Sequence, residues 1–289
     1  MKTRELFFKL RLCHGIGIQG EHRIYKWLLQ HHDLHSNRLS ALDIVKIAGI
    51  NQRYKRFFKL DYFSQNLRER IRLNSEEHWL SILDHGYPKQ LRESPCPPNV
   101  IFYRGNVKLL SGRLLGVVGA RKHSSYAVNA INKVLPPVIK KKLTIVAGLA
   151  EGVDSLGHIC AITNGGNTIG VIGTGLDRYY PANHQKLQSY MEHHQLVITE
   201  YPLGAGPRKF HFPNRNRIIA GLIQTIIIVE ARRRSGSLIT AGLALQDNRN
   251  VTAIPGRIDS PLSDGCNQLI MDGAKPIRCA EDVLEEFRY

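Results

Sequence analysis

Long apolar runs are missing from this chain. None reaches the roughly 18 to 20 residues that span a bilayer, and the N-terminus interleaves Lys2, Arg4, Glu5, Lys9 and Arg11 with its apolar positions, so no signal-peptide core forms. A cytoplasmic protein without a membrane partner is expected. Cysteine is sparse: Cys13, Cys96, Cys160, Cys266 and Cys279 are widely scattered, without a CxxC pair or a nearby His at zinc spacing. Reduced, mostly buried thiols and no metal are expected. Neither GxGxxG with its acidic partner nor GxxxxGK[ST] occurs, which removes the usual signatures of NAD and ATP and favours a site without cofactor. Internal repeats, low-complexity tracts and heptads are also absent.

Acidic residues are scarce against basic ones. The 289 residues carry 40 Lys and Arg and 24 Asp and Glu, a net charge of +16. Residues 1–80 hold 15 basic against 8 acidic side chains, and the remainder 25 against 16, so the excess is not confined to a tail. Such a balance suits a partner bearing many phosphates.

Residues 1–77 read as a small all-α domain of short amphipathic helices, with turns at Gly15-Ile16-Gly17 and Gly49-Ile50-Asn51, similar to SAM-like or helix-hairpin-helix modules. Residues 78–112, rich in turn dipeptides such as Gly86-Tyr87-Pro88 and Pro95-Cys96-Pro97-Pro98, read as a connector and the start of the next region. From residue 113 to 289 the period changes. Apolar β-rich runs at 114–118, 143–147, 168–172, 196–199, 225–229 and 251–254 alternate with helical segments. Several runs are apolar on both faces, the pattern of a buried parallel sheet, so the expected fold is α/β, Rossmann-like and doubly wound.

Ligands of such sheets bind beyond the carboxyl ends of the strands. The first turn there holds Gly119, Ala120 and Arg121, where glycine permits close approach and exposed N–H groups at a helix start can cradle phosphate. The second holds Gly148 and Gly152, and the third Gly173, Thr174 and Gly175, with Lys186 further on. The segment RKFHFPNRNRIIAGL sets Arg208, Lys209, Arg215 and Arg217 beside Phe210, His211, Phe212 and Asn216, pairing cations for phosphates with rings for bases, as a grip on a single strand requires. Ser235, Gly236 and Ser237 precede an apolar run and mark a helix start, able either to cap itself or to take an anion.

In this order, VVGARKHS, AGLAEGVDSLGH, GNTIGVIGTGLDRYYPANHQKL, ITEYPLG, FHFPNRNRIIAGL, RSGSLITAGLAL and AIPGRIDSPLSDGCNQLIMDGA resemble the DNA-processing protein A (DprA, or Smf) family over residues 80–289. The resemblance implies an extended Rossmann-like fold that binds single-stranded DNA without hydrolysing it. It also implies dimerisation through the C-terminal part and help in loading the recombinase RecA during natural transformation. The family's phosphate-binding Gly-Ser-Arg corresponds to Gly119-Ala120-Arg121, without the serine hydroxyl. Ala147 replaces another family serine, and Glu151 stands at a commonly basic position, where it is expected to point away from the strand.

Two other readings stand beside this one. Rossmann-like nucleoside-monophosphate hydrolases use a PGGxGTxxE turn, but RSGSLITAGLAL places Leu243, Ala244 and Leu245 where the glutamate would be needed. Glu200 and Glu230 at strand ends are possible substitutes, though ion pairs with nearby arginines are expected for both. A pure adaptor would instead use protein contacts alone, with Leu269, Ile270, Val283, Leu284 and Phe287 serving as interface or as core.

Overall fold

The computed structural model describes residues 2–31 and 39–288. Five helices come first: α1 (Thr3–Leu12), α2 (Ile18–Gln30), α3 (Ala41–Ile47), α4 (Gln52–Tyr62) and α5 (Gln65–Ser75). Local chemistry starts three of them. Ser40, Asn51 and Ser64 accept backbone N–H groups at the starts of α3, α4 and α5, caps that stabilise by ~1 kcal/mol each. In the first turn Gly15 has a φ of +89°, and a Cβ there would lie 3.1 Å from the backbone of Phe58, so glycine lets the turn press onto α4.

The remaining chain forms one nine-stranded sheet in the order β1-β2-β6-β5-β4-β3-β7-β8-β9. Its strands are β1 (His78–Ser81), β2 (Val100–Gly105), β3 (Arg113–Val118), β4 (Leu143–Ala147), β5 (Thr168–Val171), β6 (Leu196–Thr199), β7 (Thr225–Ile228), β8 (Asn250–Ala253) and β9 (Lys275–Pro276). The six apolar runs of the sequence are β3 to β8, all parallel. Successive residues face opposite layers: Leu114, Val118, Ile226 and Ile228 join one core, while Leu115, Val117 and Ile227 join the other. The covering helices are α6 (Lys89–Arg92), α7 (Ser125–Lys140), α8 (Val153–Thr163), α9 (Gln185–His194), α10 (His211–Leu222), α11 (Gly236–Gln246), α12 (Asp264–Met271) and α13 (Ala280–Glu285). This is the doubly wound, mostly parallel α/β fold expected.

The stretch 78–112 is more than a connector. It supplies β1 and β2, which pair antiparallel with each other and with β6, and Val100, Ile101 and Phe102 are buried. Its turn dipeptides flank these strands rather than replace them. The first helices share this core: Phe8 of α1 stacks on Trp79 at 4.4 Å between ring centroids, and Leu6 and Phe7 belong to the same apolar cluster as β2. At the C-terminus Val283 is core, Leu284 and Phe287 are half-buried against the same layer, and Leu269 and Ile270 are half-buried against the opposite one. All five cysteines are free thiols, and burial pushes that of Cys266 up to about 12. Among the described residues no helix is long and apolar enough to cross a membrane, and no His, Cys, Asp or Glu cluster could hold a metal.

Candidate functional site

The order of the sheet reverses between β3 and β7, since β3 is followed on one side by β4 and on the other by β7. At such a switch point the connections leave in opposite directions and a crevice opens beyond the carboxyl ends of the strands. A cavity of about 640 Å³ lies there, lined by the turn after β3, the turn after β7 and α10. From α10 come Phe212, Arg215, Asn216 and Ile219, spaced i, i+3, i+4 and i+7 along one helical stripe.

Five cations line the cavity: Arg121, Lys122, Lys209, Arg215 and Arg232. Asp154 is the only carboxylate among the described lining residues. None of the five makes an ion pair among the described residues, whereas other arginines of the chain do. Arg121 sits over the Phe212 ring at 5.6 Å. Arg215 is buried, with Nη1 donating to Val171 O at 2.7 Å and Nε without a partner. Burial draws its guanidinium down to about 10 against the pull of Asp154. Gly148 makes room for it, since a Cβ there would stand 1.5 Å from Arg215 Nη1.

Three helix starts surround the crevice, and their free N–H groups differ in what they meet. At α7, Ser124 gives its N–H to Glu230 Oε2 at 2.9 Å and its hydroxyl to the other carboxylate oxygen, while its Oγ accepts the Tyr126 N–H. An acid of the chain itself therefore holds the Ser124 N–H at this helix start. The N–H of Gly148, before α8, goes to Asp154 Oδ2 at 2.9 Å; burial raises the Asp154 carboxyl above its usual range, Arg215 opposing. The turns also interlock: Val153 N–H donates to Ala120 O, and a Cβ on Gly152, whose φ is +83°, would lie 2.2 Å from that same oxygen. At α11 nothing comparable is present. Ser235 has cap geometry but its side chain accepts no backbone N–H, and its buried Oγ has no partner among the described residues. Arg234, just before it, holds a left-handed φ of +59°, a strained turn that leads the chain into this start.

Of the residues expected from the sequence, Gly119, Ala120, Arg121, Phe212, Arg215, Asn216, Ser235, Gly236 and Ser237 line the large cavity. Gly148, Gly173 and Thr174 line a smaller one of about 120 Å³ that shares Arg121, Phe212 and Arg215. Gly152 stands behind the turn it shapes, Gly175 gives its N–H to Ala205 O, and Lys186 is exposed on α9; none lines either cavity. Arg217 is elsewhere, donating to Cys96 O and to Glu200. Two residues along a helix turn about 200°, so Arg215 and Arg217 face opposite sides. Glu200 is ion-paired with arginine as expected, but Glu230 is held by Ser124 instead. Glu151 lines the smaller cavity and not the larger one, and it accepts from Asn183 Nδ2 at 3.4 Å. His211 is buried against Tyr201 and Phe210 points to water outside the cavity, leaving Phe212 and Tyr180, 5.2 Å apart, as the cavity's rings. Lys122 and Tyr180 were given no binding role from the sequence, although each adjoins a turn or a motif already singled out.

An open, mostly parallel sheet with a cation-lined crevice at its switch point defines a Rossmann-like α/β protein. The family model described as DNA recombination-mediator protein A matches residues 78–288, and the chain belongs to that family. The DNA processing protein DprA of Streptococcus pneumoniae is 48% identical over 209 residues, covering 72% of this chain and 74% of the relative. That of Bacillus subtilis is 38% identical over 246 residues, covering 84% and 81%. Among solved structures, DNA processing protein A from Streptococcus pneumoniae matches over 100% of both chains with a TM-score of 0.89 at 39% identity. A DNA processing protein A from Helicobacter pylori, described for its unique single-stranded DNA binding mode, matches 74% of this chain and 97% of its own with a TM-score of 0.65 at 28% identity.

Proposed function

We propose that this protein is a DNA recombination mediator that grips single-stranded DNA in the switch-point crevice, without transforming it, and helps load RecA on the strand during natural transformation. It works in the cytoplasm as a homodimer joined through its C-terminal part. One observation carries the binding step: among the described residues, five cations without an ion pair face one buried carboxylate around a helix start whose serine hydroxyl has no partner. Phosphates of the strand fit there, at the start of α11, with Arg121, Lys122, Lys209 and Arg232 around them and Phe212 and Tyr180 as faces for bases. The Helicobacter pylori relative, whose structure is described for single-stranded DNA binding, supports the choice of polymer. Family membership supports the mediator role, which the cavity alone does not specify.

Fluorescence anisotropy with labelled oligothymidylate tests this reading. Arg121→Glu replaces a donor with a repelling acid and should weaken affinity by ~1.5–3 kcal/mol, about 10- to 150-fold. Affinity of the native protein should fall with salt, with a slope of about −0.7 per phosphate contact. Unchanged affinity in a folded Arg121→Glu variant overturns the assignment of the crevice.

A further inference from the structure

We propose that the water-facing side of α4 is a second contact for single-stranded DNA, separate from the crevice. Helix α4 buries Phe58 and Tyr62 on one side. The other side presents Arg53, Arg56, Phe57 and Leu60 at i, i+3, i+4 and i+7, with Lys59 beside them. Phe57 is 53% exposed, Leu60 66% and Phe63, just past the helix, 67%, an unusual density of large apolar side chains in water for so short a segment. The cations among them make no ion pair among the described residues. The acid of this helix is already engaged: Asp61 takes Arg70 Nη2 on both oxygens, at 2.7 and 2.6 Å, and the backbone N–H of His14 at 2.7 Å. Lys9 adds a further cation 3.5 Å over the Tyr62 ring and 6.0 Å from Phe63. No residue of α4 lines the crevice.

A face with several positive charges, no free acid and three apolar side chains complements a polyanion that also has flat apolar parts. Unpaired nucleotides fit, because their bases can stack on Phe57 and Phe63 while their phosphates meet Arg53, Arg56 and Lys59; a duplex has its bases already stacked. A membrane surface asks for a continuous apolar side, and here arginines interrupt the stripe while the other side of the helix lies in the core. The choice of polymer rests on the crevice reading, and joining two contacts on one strand raises affinity for strands long enough to reach both.

The test compares oligothymidylates of about 6 and about 60 nucleotides, by anisotropy, on the full chain carrying Phe57→Ala with Phe63→Ala, or Arg53→Gln with Arg56→Gln. All four side chains are exposed, so the melting midpoint should match the native protein. Each pair should weaken binding of the long strand about tenfold or more and leave the short strand unchanged, whereas Arg121→Glu should weaken both. Equal long-strand affinity in either folded pair overturns the α4 contact. If Arg121→Glu changes nothing while the α4 pairs weaken binding, the crevice reading fails and α4 stands. Phosphatidylserine vesicles and polyglutamate are run alongside; retention of native protein on either, lost in the pairs while DNA affinity is kept, also overturns the proposal.

Discussion

Substituting Ser235→Asp should raise stability and lower DNA affinity together. Ser235 holds the extended backbone of an N-cap, φ −83° and ψ 161°, yet its hydroxyl accepts nothing from α11. An aspartate there can accept the N–H two or three residues on and place its charge at the positive end of the helix dipole. The room exists, because Ser235 borders the 640 Å³ cavity. The cap contributes ~1 kcal/mol and the dipole ~0.3–1 kcal/mol. For a chain of this size that is a rise of roughly 2–4 °C in melting midpoint per kcal/mol. The same carboxylate fills the place proposed for a phosphate, removing a charged hydrogen bond and adding repulsion, ~1.5–3 kcal/mol or about 10- to 150-fold in Kd. Differential scanning calorimetry and oligothymidylate anisotropy measure the two effects on one preparation. A higher midpoint with native affinity would show that the helix start is not where phosphate sits. A lower midpoint would show that the hydroxyl already has a structural role that the acid breaks.

Three further substitutions test the framework. Gly148→Ala adds a Cβ into the Arg215 guanidinium without backbone strain, forcing Nη1 off Val171 O. The stranded buried carbonyl should cost about 1–3 kcal/mol in urea unfolding, and a native midpoint would refute the packing of Arg215 beneath this turn. Gly152→Ala must hold φ near +83° against Ala120 O, so soluble folded yield should fall sharply; normal yield would mean that the two turns do not interlock. Glu21 is buried near Arg11, Glu200 and Arg217, and burial pushes its carboxyl up to about 7 despite the opposing pull of Arg11. The native state then binds a proton that the unfolded chain has released between roughly pH 4.5 and 7, so this group lowers stability as pH rises through that window. Glu21→Gln should flatten that decline in guanidinium midpoints, and a slope equal to the native one would refute the assignment.

Most of the parallel sheet was legible because burial on both faces leaves continuous apolar runs, so β3 to β8 could be placed within a residue or two. The antiparallel edge was not. His78–Ser81 is short and partly exposed, Val100–Gly105 ends in Arg104 and Gly105, and the Pro and Gly between them carry the same composition as a linker. The partners that make them strands are β6, about a hundred residues away, and the rings of α1. The crevice was legible for a general reason: in open α/β sheets the turns at carboxyl ends meet at the switch point, so glycine-rich turns there were worth naming before any contact was known. Charge alone does not separate Arg217 from Arg215, whereas helical period does. A helix through Phe212 to Ile219 has Arg215 and Asn216 on its cavity side and cannot put Arg217 there as well.

Which helix start is open could not be read from the motifs, because it depends on acids supplied from elsewhere in the chain. Ser124 looks like the opening of a phosphate cradle until Glu230, 106 residues later, takes both its N–H and its hydroxyl. Asp154, in the first turn of α8, likewise takes the N–H of Gly148. Internal carboxylates thereby take an N–H beside two of the three starts, next to the turn that bears Arg121 and the turn under which Arg215 packs. Filling all three would cancel much of the crevice's attraction for an anion; filling none would leave the turns without the bonds that shape them. At the third start the Leu238 N–H turns back to Ser235 O and no internal carboxylate among the described residues reaches the Ser235 hydroxyl, so the same rule of satisfied amides puts the proposed phosphate here rather than at the other two.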